Sequence, residues 1–220
     1  MVDRSVTRDS FGGYRQRLVE TLRDKGVRDL AVLRAVASVP RHLFVPESLR
    51  HRAYEDSALP IGAQQTISQP FVQARSLEAL RLTGRERVLE VGAGSGYQTA
   101  LLAELADTVV AVERIPALAE RARTVLAELG LRNVSVVVGD GTLGWRSMAP
   151  FDAIVVAAAS PQVPSPLVNQ LAPGGRMVVP IGDREEQILM LVEKAGDEVR
   201  QTPLSDVRFV PLLGEFGFRA

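Results

Sequence analysis

Three acids and three glycines define the chemistry this sequence can support. Glu90, Gly92, Gly94 and Gly96 lie in VLEVGAGSGYQT (residues 88–99), Glu113 closes TVVAVE, and Asp140 stands in GDG. Val88, Leu89 and Val91 read as a buried parallel strand with Glu90 near its carboxyl end. The glycines then let the backbone turn tightly and approach a ligand without Cβ obstruction, and a helix over residues 97–106 points its amino end at that ligand. The glycines run G-x-G-x-G, and Tyr97 stands where a dinucleotide fingerprint has its third glycine, which disfavours a pyrophosphate. Glu90 would repel phosphate but could accept from an ammonium group such as that of S-adenosylmethionine (AdoMet).

Glu90, Glu113 and Asp140 each fall at the carboxyl end of an expected parallel strand, where open α/β sheets bind ligands. The first could orient the amino acid portion of AdoMet, the second accept from both ribose hydroxyls, the third accept from the adenine amino group. Each acid taken alone is equally readable as a helix cap or a solvated loop residue. Three in register are harder to explain that way.

Those acids need a sheet to hold them. Strands are expected over residues 88–91, 108–112, 133–138, 151–157 and 176–181, the last after the break at Pro173, Gly174 and Gly175. One intervening helix carries Leu118, Ala122, Val125 and Leu129 on a single face, and residues 166–171 make a short one. Repeated strand–helix–strand units take right-handed crossovers and a parallel sheet, so the fold class is α/β, doubly wound and Rossmann-like. Residues 182–186 are too few for a parallel crossover, so strands 176–181 and 187–192 form an antiparallel hairpin, and a further strand near residues 207–211 is expected on that edge. Upstream, residues 1–13 read as a frayed arm. A helix over residues 14–25 stops at Gly26, and a second over residues 30–39 is capped by Asp29 and ends at Pro40. Residues 39–46, VPRHLFVP, read as extended between prolines, with Phe44 and Val45 inward.

Residues 57–70, SALPIGAQQTISQP, show neither helical nor clean strand periodicity and are rich in hydrogen-bonding side chains, as functional segments on rigid scaffolds often are. The competing account is that Ser68 or Gln69 caps the next helix, residues 71–82, with Pro70 in its first turn. His42 and His51 have no metal-ligand or triad spacing, and the absence of Cys excludes thiol chemistry, disulfides and cysteine metal sites. With 220 residues and 46% hydrophobic content a single domain is expected, residues 1–69 forming a helical and substrate-loop extension and residues 70–220 an AdoMet-binding core. Lys plus Arg equals Asp plus Glu at 26 each, so no global field recruits nucleic acid or an anionic membrane. No apolar run reaches membrane-spanning length, residues 1–13 carry charges in place of an apolar signal core, and a cytoplasmic location is expected.

VPRHLFVP, LPIGAQQTISQP, VLEVGAGSGYQT, VVAVER, GDGTLGW, FDAIVVAAA, LAPGGRMVVPIG and VRFVPLLG together resemble the protein-L-isoaspartate O-methyltransferase (protein-beta-aspartate methyltransferase) family across residues 39–218. Many methyltransferases share the glycine turn; QTISQP joined to GDGTLGW and RFVPL is the specific part. The resemblance implies a class I AdoMet-dependent methyltransferase fold. It also implies methylation of the free α-carboxylate of L-isoaspartyl residues in damaged proteins and peptides, with S-adenosyl-L-homocysteine released and succinimide closure later restoring some normal aspartyl linkage. Ser68 would be the active-site residue, Gln64, Thr66 and Ile67 would border the reacting groups, and Glu90, Gly92, Glu113, Asp140 and Gly141 would line the cofactor site. A monomer without a metal is implied. Some eukaryotic-type members carry a histidine in the following helix; Phe71, Val72 and Gln73 stand there, so no histidine role is carried over. A carboxylate with a pKa of roughly 4 is already anionic near neutrality and needs no strong base, so Ser68 is read as a hydroxyl donor that positions one carboxylate oxygen. Two alternatives remain: a related enzyme acting on an aspartate of a dedicated peptide partner, and a noncatalytic AdoMet-binding module.

Overall fold

The computed structural model describes residues 11–196 and 198–219, so most of the arm expected over residues 1–13 lies outside the described residues. Two helices, α1 (Gly12–Asp24) and α2 (Leu30–Ser38), lead into a short hairpin of β1 (Leu59–Gly62) and β2 (Gln65–Ile67) and then α3 (Pro70–Leu80). The core follows as β3 (Arg87–Val91), α4 (Tyr97–Ala103), β4 (Thr108–Glu113), α5 (Pro116–Glu128), β5 (Val134–Val138) and β6 (Phe151–Val156). After α6 (Ser165–Asn169) come β7 (Leu171–Gly182), β8 (Gln187–Ala195) and β9 (Glu198–Val207).

The seven core strands form one sheet in the order β5-β4-β3-β6-β7-β8-β9. β3 through β7 pair in parallel, and β8 and β9 are antiparallel to their neighbours, so the α/β class with antiparallel carboxyl-terminal strands is as expected. Chain order reverses between β3 and β6, and a crevice opens outside the strand ends at such a switch point. Alternation within the strands sorts the core into two faces. Val88, Val109, Ala111 and Val155 pack with α1 to α5, whereas Leu89, Val91, Val110 and Ile154 pack with α6 and the carboxyl-terminal Leu212. Glu90 falls on the helix-rich face, which is why its carboxyl group is buried.

Three expectations are corrected. Residues 39–46 are not extended: Arg41–Phe44 form a 3-10 turn closed by Leu43 N–H donating to Pro40 O at 3.0 Å, although Phe44 and Val45 are buried as expected. The edge strand is β9 and not residues 207–211, because the chain returns directly after β8 and then crosses back over the sheet. There Ala159 N–H donates to Val210 O (2.8 Å) and Leu212 N–H to Ala159 O (2.7 Å). Pro211, which has no N–H, sits between those bonds. Finally, β7 begins before the Pro173 to Gly175 break, which forms a bulge: Phe151 faces Leu171, but Ala153 already faces Arg176.

The segment without periodicity, residues 57–70, contains the β1–β2 hairpin, whose strands are too short to show alternation. Its two-residue turn places Ala63 (φ 51°) and Gln64 (φ 58°) in the left-handed region. Neither Ser68 nor Gln69 caps α3 through its side chain. Asp56 does so from a distance: its Oδ1 accepts from Phe71 N–H at 2.8 Å, while Oδ2 accepts from Gln69 Nε2 at 3.0 Å and from Lys25 Nζ at 2.5 Å.

Candidate active site

Between β3 and α4 the chain makes the expected glycine turn. Gly92, Gly94 and Gly96 all have positive φ (89°, 54° and 87°), a conformation L side chains rarely adopt. Gly92 N–H donates to Val112 O at 2.8 Å, which fastens the turn to the tip of β4. Glu113 holds it from the side: Oε2 accepts from Gly94 N–H (2.8 Å) and Oε1 from Ile115 N–H (2.9 Å). Gly96 does not line the opening. It starts α4, and an added Cβ would lie 3.0 Å from Ala122 Cβ, so its bareness serves the packing of α4 on α5.

Glu90 is fully buried, and its Oε2 accepts from Thr99 Oγ1 at 2.5 Å, while Oε1 has no hydrogen-bond partner among the described residues. Burial pushes its carboxyl group up to about 8, with the nearby Glu113 adding to the rise and the Thr99 hydrogen bond opposing it. A carboxyl group in that state favours a cationic donor, and it lines the opening together with Gly92 and Gly94. An ammonium-bearing nucleotide therefore fits the residues present: an orphaned buried acceptor stands beside a bare backbone cradle.

Asp140 is engaged differently. Its Oδ1 accepts from Thr142 N–H (2.9 Å) and Thr142 Oγ1 (2.7 Å), and its Oδ2 from Glu215 N–H (2.9 Å), leaving Oδ2 one further acceptor direction. Partial burial raises its carboxyl group, but these donors and Arg114 outweigh that and hold it below the ordinary value. Asp140 thus ties the returning carboxyl-terminal segment to the tip of β5. Gly141, next to it, lines the opening, and a Cβ there would meet Val91 Cγ1 at 2.5 Å.

The opposite wall comes from upstream. Arg41, fully buried, donates through Nε to Ala53 O (2.9 Å), and its two terminal nitrogens donate to Gln73 Oε1 (3.0 Å) and Ser68 O (2.8 Å). Its guanidinium also lies 4.7 Å over the Tyr97 ring at the start of α4. One cation therefore fixes the end of the hairpin, the first turns of α3 and the helix that leaves the glycine turn. Arg121 adds a second tie, donating to Ile61 O at 3.1 Å.

These walls bound one cleft that opens to solvent. Of the residues expected from sequence, Thr66, Ile67, Ser68, Glu90, Gly92, Gly94, Glu113 and Gly141 line it together. Gln64 is at the exposed hairpin tip, Asp140 is not among the lining residues although its neighbour Gly141 is, and Gly96 is in the packing below. Sequence reasoning missed Gln73, Arg114 and residues 210–213, which also line the cleft, and Arg41 and Asp56 behind it. No local signal marks Arg41, since its partners Ala53, Ser68 and Gln73 lie 12 to 32 positions along the chain. Among the described residues no cluster of three or more His, Cys, Asp or Glu side chains could hold a metal, and no helix is long and apolar enough to cross a membrane.

The chain is similar to known proteins over nearly its whole length. A family model described as protein-L-isoaspartate(D-aspartate) O-methyltransferase matches residues 14–217. Protein-L-isoaspartate O-methyltransferase 1 of Syntrophobacter fumaroxidans is 52% identical over 210 residues, which cover 95% of this chain and 98% of that one. The Anaeromyxobacter sp. enzyme of the same name is 60% identical over 195 residues, 87% and 92% of the two chains. Among solved structures, a putative protein-L-isoaspartate O-methyltransferase from Plasmodium falciparum in complex with S-adenosyl-L-homocysteine superimposes with a TM-score of 0.80 at 26% identity, covering 90% of this chain and 98% of that one.

Proposed function

The chain belongs to the protein-L-isoaspartate(D-aspartate) O-methyltransferase family, and from that premise we propose that it is a protein-repair enzyme that methylates the free α-carboxylate of L-isoaspartyl residues in damaged proteins and peptides. AdoMet, when bound, supplies a methyl group activated by sulfonium; the methyl ends on a carboxylate oxygen and S-adenosyl-L-homocysteine is left. The observation that carries this reading is the single cleft that brings the Thr66 to Ser68 strand end against the glycine turn and Glu90.

Each residue then has a task. Glu90 accepts from the ammonium group, and Glu113 from the ribose hydroxyls with the lone pairs its two backbone donors leave free. Gly92 and Gly94 give close approach, and Gly96 sets where α4 begins. Asp140 would offer its remaining Oδ2 direction to the adenine amino group, and Gly141, which lines the cleft, would leave that end of the cofactor room. Ser68, half-buried and with its hydroxyl free of partners among the described residues, donates to one oxygen of the substrate carboxylate and leaves the other aimed at the methyl group. Thr66 and Ile67 border that carboxylate, and Gln64 contacts the peptide from the hairpin tip. No general base is needed, because the attacking group is already an anion. The segment before α3 acts as the substrate-binding extension of the AdoMet core, and the enzyme works as a monomer in the cytoplasm.

Labelled methyl transfer to paired peptides that differ only in an isoaspartyl or aspartyl linkage tests the activity. Strong preference for the isoaspartyl peptide is expected, and equal or reversed turnover would sink the repair reading. Ser68→Ala should lower kcat by about 10- to 100-fold, the worth of a hydrogen bond to a charged group, with AdoMet affinity retained.

A further inference from the structure

The scheme above gives no task to Gln73, a polar residue of the cleft. Gln73 is only 5% exposed, lines the cleft, and accepts from the buried Arg41. A guanidinium has donors and no acceptor, and Arg41, although lowered by burial to about 10, stays cationic at neutral pH. The end of the Gln73 amide facing it is therefore the carbonyl, which fixes the orientation of the whole group. The NH2 end is turned away from Arg41, donates to no acceptor among the described residues, and is not sealed in the core as an orphan. Those idle donors belong to a residue that lines the cleft. Ser68 O occupies the neighbouring nitrogen of the same guanidinium, so Gln73 stands beside the serine.

We infer that Gln73 is a specificity-determining residue: its NH2 group, aimed by Arg41, donates to an acceptor oxygen of the isoaspartyl substrate beside Ser68. This rests on the repair reading of the preceding subsection. A neutral donor backed by a buried cation complements a carboxylate, whereas a carboxylate at position 73 would oppose it. Arg41 touches neither reactant; it acts through Gln73 and Ser68 and is a positioning residue.

Gln73→Glu, Gln73→Met and Arg41→Lys test the assignment. The first keeps size and the bond to Arg41 but replaces the donors with a charged acceptor. The second keeps volume without polarity. The third cannot reproduce the fork that holds Gln73 and Ser68 together. For an L-isoaspartyl peptide, kcat/KM should fall about 100-fold in Gln73→Glu and about tenfold in Gln73→Met and in Arg41→Lys. AdoMet affinity by calorimetry should stay within about twofold of wild type for both Gln73 variants, since the lost contact is to the peptide. Unchanged peptide kinetics in Gln73→Glu, whatever its melting temperature, overturn the inference, as does a loss of AdoMet affinity equal to the loss in kcat/KM. Wild-type enzyme inactive on the isoaspartyl peptide would bring down the repair reading first and the inference with it, and that result is read in the wild-type arm alone.

Discussion

The two walls of the cleft are built by different physics. On the sheet side, bare backbone does the work: three left-handed glycines, Gly141 pressed on Val91, and carboxylates held by N–H groups of neighbouring turns. On the hairpin side, one buried guanidinium gathers three segments that share no strand or helix. A backbone cradle is shaped by local sequence and tolerates no added atoms. A side-chain hub is shaped by long-range contacts and tolerates no missing ones.

That difference is broken most severely at Arg41. Arg41→Met would leave the carbonyls of Ala53 and Ser68 and Oε1 of Gln73 without their donor, at roughly 1–3 kcal/mol for each buried acceptor. A loss of at least about 3 kcal/mol in urea unfolding is expected even after the methionine packs. A loss below about 1 kcal/mol would mean the three segments hold one another without the cation.

Glu90 sharpens the contrast, because there the sheet side gives up stability for an acceptor. The unfolded carboxyl group titrates near its ordinary 4.5 and the folded one near about 8. Between those values the native state holds the extra proton, so the stability of the cofactor-free protein should fall as pH rises through this window. The drop is of the order of a few kcal/mol, each pKa unit being about 1.4 kcal/mol. Glu90→Gln should flatten the curve and make the protein more stable than wild type at pH 9, while weakening AdoMet binding. Denaturant midpoints measured from pH 5 to 9 would contradict this if the two curves ran parallel. A cation received by Glu90 should also release a proton near neutrality, which calorimetry in buffers of different ionisation enthalpy detects.

The same contrast explains what could be read in advance. β3, β4 and β6 are Val-rich apolar stretches, with an acid at or next to the end of β3 and β4 and a small residue, Gly92 or Ala157, just after β3 and β6, and that local pattern marks both strand and strand end. The glycine turn is local too, so Glu90, Gly92, Gly94 and Glu113 were legible. Arg41 was not, because nothing within VPRHLFVP says that its guanidinium reaches across to Gln73 and Ser68. The strand expected near residues 207–211 misplaces the edge for a related reason, since residues 210–212 cross back over the sheet. Their partner is Ala159, some fifty positions away, and Asp140 anchors the following residue pair through Glu215. The hairpin was hidden by the brevity of its strands, and the cap of α3 by its origin in Asp56.

On the cradle side, Gly141→Ala gives a smaller and purely steric effect. The new Cβ would lie 2.5 Å from Val91 Cγ1, so β3 or the Asp140 turn must shift. Overpacking of this kind costs about 1–3 kcal/mol, and AdoMet affinity should fall with it. Gly84→Ala is the steric control, since nothing lies within 4 Å of its added Cβ, although its φ of 93° carries a backbone penalty of its own. If the two variants lost equal stability and AdoMet affinity, crowding at Val91 would have no part in shaping the cradle.

The least costly break lies at the hairpin tip, where Gln64 holds φ 58° without being glycine. An L residue in the left-handed region costs about 1–2 kcal/mol, part of which glycine gives back through its freer unfolded chain. Gln64→Gly should therefore stabilise the protein by about 0.5–1 kcal/mol in thermal unfolding. The kinetic result separates two uses of that strain. If the Gln64 side chain meets the peptide as proposed, KM for the isoaspartyl peptide rises while the protein becomes more stable, and the turn is strained for the sake of the contact. Unchanged kinetics in the stabilised variant would remove Gln64 from the substrate site and leave Thr66, Ile67 and Ser68 as the hairpin's whole contribution, the first two held by pairing with β1 and Ser68 by Arg41.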